Sequence, residues 1–296
     1  MRRLVFFLCA FVMCDGQDTA KLKVLLSVDM EGVAGTVTDA QLLPGKFEYE
    51  RFRRFMTMET LAAIEGAKQA GATEIVVADA HGSGENLLIE EFPANVRIVR
   101  GEPRHLYMVG GLDSSFDAVM LIGYHASTHN VSGVRAHTFS SGRLSRVAVN
   151  GIPVTEGAWA AAIAGHLGVP VVFVSGDDAA IAEVRSGIGM IEAVETKRTL
   201  GFHAAETLTP EAAQILIHDG AAKALRNRAT RKPYLVKTPV TVDISFKNIR
   251  PAETAAYLSR VFTRPASHSI RFVANDMLEA SDIVDFLLNY RLDLEP

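Results

Sequence analysis

Short apolar runs that break abruptly into polar residues set the pattern of this chain. KVLLSV at Lys23–Val28 runs into Asp29-Met30-Glu31-Gly32, the run at 74–78 into Asp79-Ala80-His81-Gly82, and the run at 118–122 into Gly123-Tyr124-His125. Such runs, partly β-branched and too short for helices, read as buried strands that enter loops. Between the first two, residues 47–70 carry Phe55, Met58 and Ala62 at helical spacing, and Gly71 supplies a stop. Further along, 143–149 followed by Asn150-Gly151 predicts a hairpin, because Asn-Gly accepts the positive φ of a tight turn. A helix at 155–167 precedes a fourth buried strand at 169–174, and Gly176-Asp177-Asp178 opens another helix through about 185. A helix over Pro210–Arg226 is followed, from about 233, by strand, helix, strand and helix. The alternation predicts an α/β protein with a mainly parallel central sheet flanked by helices. We expect a main domain over 17–232 and a smaller C-terminal α/β subdomain over 233–296.

The first residues fall outside this pattern. Arg2 and Arg3 precede an apolar stretch from Leu4 to Met13, after which Asp15, Gly16 and Gln17 turn polar. This is the layout of a secretory signal peptide, expected at 1–16 and removed near Gly16, so the protein is expected to be secreted or periplasmic. The stretch is about half the ~20 residues that a membrane-spanning helix needs, so no integral span is expected in the mature chain. Lipid attachment at Cys14 is disfavoured, because Met13 is a poor substitute for the small residue that normally precedes such a cysteine. Cys9 and Cys14 are the two cysteines of the chain, and both lie in this leader. The mature protein is therefore expected to have no disulfide and no thiol ligand, so that any metal is held by nitrogen and oxygen.

Charge removes two classes of partner. The 30 basic and 34 acidic residues give a net charge of -4 and are dispersed along the 296 residues. No basic stripe exists to hold nucleic acid or anionic lipid. The low aromatic content, 7%, and the Ala-, Val- and Gly-rich background suit short strands packed on helices better than an all-β sandwich.

Candidate chemistry gathers where the strands end. In open α/β sheets the loops leaving the carboxyl ends of the strands converge on one crevice, and Asp29, His81 and His125 all occupy such ends. Taken singly, each has a structural reading as a cap or a satisfied core side chain. Asp29 and Glu31, two apart in an extended segment, point to the same side and repel unless a cation lies between them. Glu156 opens a predicted helix, where it is either a partner for the helix dipole or a further ligand. His137 stands in Gly-Val-Arg-Ala-His-Thr with no local mark separating a catalytic from a surface role. Asp177 and Asp178 read as capping residues, and Arg51, Arg53 and Arg54 as a solvated helix face. Ser140 and Ser141 have no nucleophile-elbow context, which excludes a serine hydrolase.

SVDMEG at 27–32, ADAHGSG at 78–84, GYHA at 123–126, the longer MVGGLDSSFDAVMLIGYHA and the late ANDMLEA resemble the D-aminopeptidase (DppA) family of zinc metallopeptidases. The likeness extends from about Lys23 to the C terminus. It implies two Zn²⁺ ions, with Asp29 matching the carboxylate that bridges them and Glu31, His81, His125 and Glu156 matching the other ligands. His137 matches the family's catalytic histidine, although the loop between His125 and His137 is one residue longer than the family pattern. The resemblance further implies removal of N-terminal D-residues such as D-Ala from short peptides, and a ring-like homo-oligomer, a decamer. Zinc chemistry is compatible with this mixed nitrogen and oxygen set, and metal-activated water with His137 assisting is the expected route. A dimetal amidase or phosphoesterase, or a zinc-dependent binding protein without turnover, are the rival readings, since a carboxylate-histidine cage does not choose the bond to be cleaved.

Overall fold

The computed structural model describes residues 21–290. The signal peptide expected at 1–16, Cys9 and Cys14 lie outside these residues.

In chain order the elements are β1 (Lys23–Val28), α1 (Asp39–Leu42), α2 (Tyr49–Gln69), β2 (Glu74–Asp79), β3 (Val96–Val99), β4 (Ala118–Tyr124), β5 (Leu144–Val149), β6 (Ile152–Pro153) and α3 (Glu156–His166). They continue as β7 (Val171–Asp177), α4 (Asp178–Ile188), β8 (Glu192–Gly201), β9 (Ala204–Thr207), α5 (Pro210–Arg226), β10 (Val240–Phe246), α6 (Ile249–Ala255), β11 (Thr263–Ala266), β12 (Ser269–Ala274) and α7 (Met277–Asn289). Seven strands form the main sheet in the order β3-β2-β1-β4-β7-β8-β9. All of its pairings are parallel except β8 with β9. The mainly parallel α/β sheet flanked by helices is therefore present.

β1 explains why such a short run suffices. Val24, Leu26 and Val28 alternate with Leu25 and Ser27, and all are buried because both faces of the sheet are covered. Val24, Leu26 and Val28 join a core that also holds Met56 and Ile64 of α2 and Ile217 and Leu225 of α5. Those two helices meet closely: a Cβ at Gly66 would lie 2.2 Å from the His218 carbonyl oxygen. Leu25 faces the opposite core, shared with Trp159 of α3, Val284 of α7, and Val147 and Ile244 of a second sheet.

That second sheet has the order β11-β12-β10-β5-β6 and is antiparallel throughout. β5 and β6 form the hairpin predicted at Asn150-Gly151, with φ of 50° and 83° at these two residues. β10 pairs with β5, Val242 opposite Val149, so strands from both sides of residue 233 share one sheet and one core. The boundary expected at 232/233 does not separate sheets.

Three strands of the main sheet carry no sequence signal of the expected kind. β3 is only partly buried, β8 alternates buried positions with Glu195 and Arg198, and β9 is largely exposed. They are the outer strands, so their exposed positions carry polar residues and break the apolar runs that mark the centre. The predicted helix over 155–167 is α3, capped by Thr155, whose Oγ1 accepts from the Ala158 amide at 2.8 Å. Among the described residues no helix is long and apolar enough to cross a membrane.

Candidate metal centre

β2, β1 and β4 are neighbours, and the chain leaves β1 towards β2 on one side while β4 lies on the other. This reversal opens a crevice at the carboxyl ends of the strands. Asp29 and Glu31 follow β1, His81 follows β2, and His125 follows β4, so one crevice receives all four. Glu156 enters from the first turn of α3 and His137 from the loop after His125.

Two glycines allow the loops to pack main chain on main chain. The Gly32 amide donates to the Gly123 carbonyl at 2.7 Å, and the Asp29 amide to Ile122 at 2.8 Å. A Cβ at Gly32 would stand 2.2 Å from the Tyr124 oxygen, and one at Gly123, where φ is +71°, 2.3 Å from the Asp29 oxygen. The glycines of SVDMEG and GYHA thus let Asp29, Glu31 and His125 approach one another. Behind His81, the Asp79 carboxylate accepts from the amides of Asn86 and Leu87 at 2.6 and 2.8 Å, closing the loop 79–87. Arg53, expected on a solvated face, instead donates to the Asn86 carbonyl at 2.7 Å and braces this loop.

Asp29 stands between two triads. Its Oδ1 is 3.2 Å from His81 Nδ1, which is itself 2.9 Å from Glu31 Oε2. Its Oδ2 is 3.3 Å from His125 Nε2, and that nitrogen is 3.3 Å from Glu156 Oε2. Asp29, Glu31 and His81 can together reach one metal ion, and Asp29, His125 and Glu156 another. All five are buried.

The outer nitrogens of the histidines define the inner ones. His81 Nε2 donates to the Leu42 carbonyl at 3.0 Å and His125 Nδ1 to the Ala126 carbonyl at 3.0 Å, since a carbonyl can only accept. The nitrogens left facing the carboxylates are then lone pairs unless protonated, an arrangement that requires a proton or a metal cation between them. Among the described residues Asp29 Oδ2 and His125 Nε2 have no hydrogen-bond partner despite burial. Burial, followed by the charge of Glu31, pushes the Asp29 carboxyl up to about 6. Burial also opposes ionisation of Glu31, yet the charge and hydrogen bond of His81 hold it well below the usual carboxylate range. Burial disfavours the charged form of His125 as well, but Glu156 and Asp29 raise it well above its ordinary value. Three buried carboxylates thus demand positive charge, and a donor set of oxygens and imidazoles fits zinc.

His137 lies against this cage. Its ring stacks on His125 with centroids 4.1 Å apart and planes at 9°. Nδ1 donates to the Arg135 carbonyl at 2.7 Å, which leaves Nε2 free, 3.8 Å from Glu156 Oε1. Burial and the neighbouring His125 lower its pKa from the usual imidazole value. Glu156 is more than a dipole partner, because its Oε1 also accepts from the Phe139 amide at 2.6 Å. Asp177, by contrast, is the cap expected, accepting from the Ala180 amide at 2.9 Å.

A cavity of about 730 Å³ opens over Asp29, Glu31, His81, His137 and Glu156. Its walls come in part from segments that the motifs do not reach, Asp39, Glu102, Tyr107 and Phe139, and in part from Arg135, two residues before His137. Arg135 pairs with Asp39 at 2.5 Å and donates to His203 Nε2 at 3.0 Å. Glu102 is pushed up to about 7, first by burial, and further by Asp285 beside it. The proton is retained in the folded state across a window, from the ordinary 4.5 to about 7, in which the unfolded chain has released it. Stability therefore falls as pH rises through that window. Glu102→Gln is expected to leave melting unchanged near pH 4.5 and to raise the melting temperature of metal-free protein at pH 8; equal melting of both proteins at pH 8 would refute this.

Comparison with known proteins identifies the family. The D-aminopeptidase family matches residues 22–286. A curated D-aminopeptidase of Bacillus subtilis (strain 168) is 34% identical over 259 residues, covering 88% of this chain and 94% of that protein. The solved structure of the Zn-dependent D-aminopeptidase DppA from Bacillus subtilis, described as a self-compartmentalizing protease, superposes with a TM-score of 0.86 at 32% identity, over 90% of this chain and 96% of its own. With the family matched over nearly the whole described chain and the strand-end residues gathered in one crevice, this protein belongs to the D-aminopeptidase family.

Proposed function

We propose that this zinc metallopeptidase holds two zinc ions, one by Asp29, Glu31 and His81 and one by Asp29, His125 and Glu156, and removes N-terminal D-residues such as D-Ala from short peptides. The observation that carries the reading is Asp29, whose two oxygens face the two triads separately. Three carboxylates offset three of the four positive charges of two divalent ions, a balance suited to hydrolysis. Bound zinc supplies a Lewis acid that acidifies water and polarises a peptide carbonyl.

The chain's own groups do the rest. His81 and His125 are fixed by the backbone carbonyls of Leu42 and Ala126, so their inner nitrogens are aimed and unprotonated when a cation is present. His137 Nε2, directed at the cage, takes a proton from the attacking water and hands it to the departing amine, while its Nδ1 stays engaged with Arg135. A cavity of about 730 Å³ lies within the roughly 300–1,000 Å³ typical of small-ligand clefts, which supports short peptides rather than folded proteins as substrates.

The test is a panel of paired D- and L-aminoacyl substrates with a phosphodiester alongside, run before and after chelation. D-Ala-p-nitroanilide hydrolysis that is lost with the metal and restored by zinc is the expected result. Preference for L-residues would overturn the substrate assignment, and phosphodiester cleavage alone would overturn the reaction.

Export through the N-terminal leader and assembly into a ring-like homo-oligomer, a decamer, belong to the same proposal. The self-compartmentalizing relative supports the assembly, as do Tyr257, Leu258, Phe286 and Tyr290, exposed around an apolar cavity of about 660 Å³ beside α6 and α7. N-terminal sequencing of the exported protein and its mass in solution check the two; a retained leader or a monomer would remove them.

A further inference from the structure

The loop that presents Glu31 has a floor of unusual chemistry. Lys197, on β8, is 2% exposed, yet it comes from a strand that is not adjacent to β1. Its ammonium donates to the carbonyls of Glu31, of Val33 at 2.9 Å and of Thr36 at 2.7 Å. An ammonium has three N–H donors, and all three are engaged by one stretch of six residues. Beside it, the Thr196 hydroxyl donates to the Gly32 carbonyl at 2.6 Å, and Glu59 Oε1 accepts from the Ala34 amide at 2.9 Å. The peptide groups of residues 31–36 are thus gripped from below by side chains of other elements, while the Glu31 carboxylate is turned up towards His81.

Burying an ammonium is costly, and the buried carboxylates of Asp177 and Glu59 offset part of that cost; an apolar side chain of the same length would fill the space but leave those acids without a cation. What an apolar side chain lacks is the ability to draw three carbonyls to one point. We propose that Lys197, seconded by Thr196, is a positioning residue that fixes where the Glu31 carboxylate stands beside His81 and so tunes the metal site built on Asp29, Glu31 and His81. The inference rests on the metal-site reading above. Lys197 acts through the main chain of the ligand loop, by its bonds to the carbonyls of Glu31, Val33 and Thr36.

The experiment compares the full chain with Lys197→Met and Thr196→Val in three measurements: melting of the metal-free protein, zinc affinity by chelator competition, and the kcat and KM of aminoacyl-p-nitroanilide hydrolysis. Loss of a group that orients a ligand costs about 10–100-fold in metal affinity or activity. In K197M we expect one of the two zinc ions to be bound at least about tenfold more weakly, the other to be retained, and kcat to fall about as much while KM changes little. In T196V the same signature is expected with a smaller amplitude, and this variant decides the matter if K197M does not fold. Variants that melt at a lower temperature but bind both zinc ions as tightly as the parent, with parental kcat, would show a merely structural role and overturn the proposal. A parent protein that takes up no zinc would overturn the metal-site reading itself, a failure visible before any variant is made.

Discussion

Asn in place of Asp29 is expected to empty both metal positions at once and to lower turnover by roughly a thousandfold or more, the scale seen when one member of a group that acts as a unit is removed. The reason is geometric. Oδ1 serves the side of His81 and Glu31, and Oδ2 the side of His125 and Glu156, so no other residue contributes to both triads. Asn keeps the shape but carries no charge, and its amide turns two hydrogens towards one of the positions. The remaining Glu31 and Glu156 leave a cage two charges strong where two divalent ions must be balanced. Folding should survive, because the substituted group lies at the end of β1 and the Asp29 amide still donates to Ile122. Metal content by mass spectrometry together with circular dichroism checks the result. A folded D29N protein with a full complement of zinc would remove Asp29 from its bridging place.

The second large effect belongs to His137 and has the opposite metal signature. His137→Ala should cost roughly 100- to 10,000-fold in kcat, the range for a positioned proton carrier, with zinc content unchanged. Its Nδ1 is committed to the Arg135 carbonyl and its ring is stacked on His125, so Nε2 alone is available to a substrate. Gln at the same position can donate a hydrogen bond but cannot carry a proton through an imidazolium. Equal losses in H137A and H137Q mark proton transfer; recovery in H137Q would assign His137 to hydrogen bonding of the developing oxyanion. Near-parental turnover in both would take His137 out of the mechanism.

The cage was legible in the sequence because strand ends advertise themselves. Asp29, His81 and His125 each follow a buried run directly, and adjacency of β2, β1 and β4 turns that shared position into proximity. Glu156 and His137 gave no such signal. Glu156 opens a helix, where an acid has an ordinary use, and its approach to His125 depends on how α3 packs on the sheet. Lys197 was invisible for a stronger reason. A lysine amid the polar residues of an outer strand reads as solvent-facing, and only the wrap of the 31–36 loop over β8 buries it. The cavity walls at Asp39 and Glu102 have no sign in the sequence because they are drawn from separate loops that meet only in three dimensions. The second sheet was half legible: the Asn150-Gly151 hairpin was visible, but its pairing with β10 spans some ninety residues and has no local sign.

The contact of Gly32 with Gly123 and Tyr124 divides the enzyme into a part that mutation can retune and a part that it cannot. Where two loops meet through peptide groups alone, no side chain exists to be exchanged, and even one added methyl would collide with an oxygen. Any attempt to redirect the enzyme to new peptides must therefore be written in the rim, with the floor held constant.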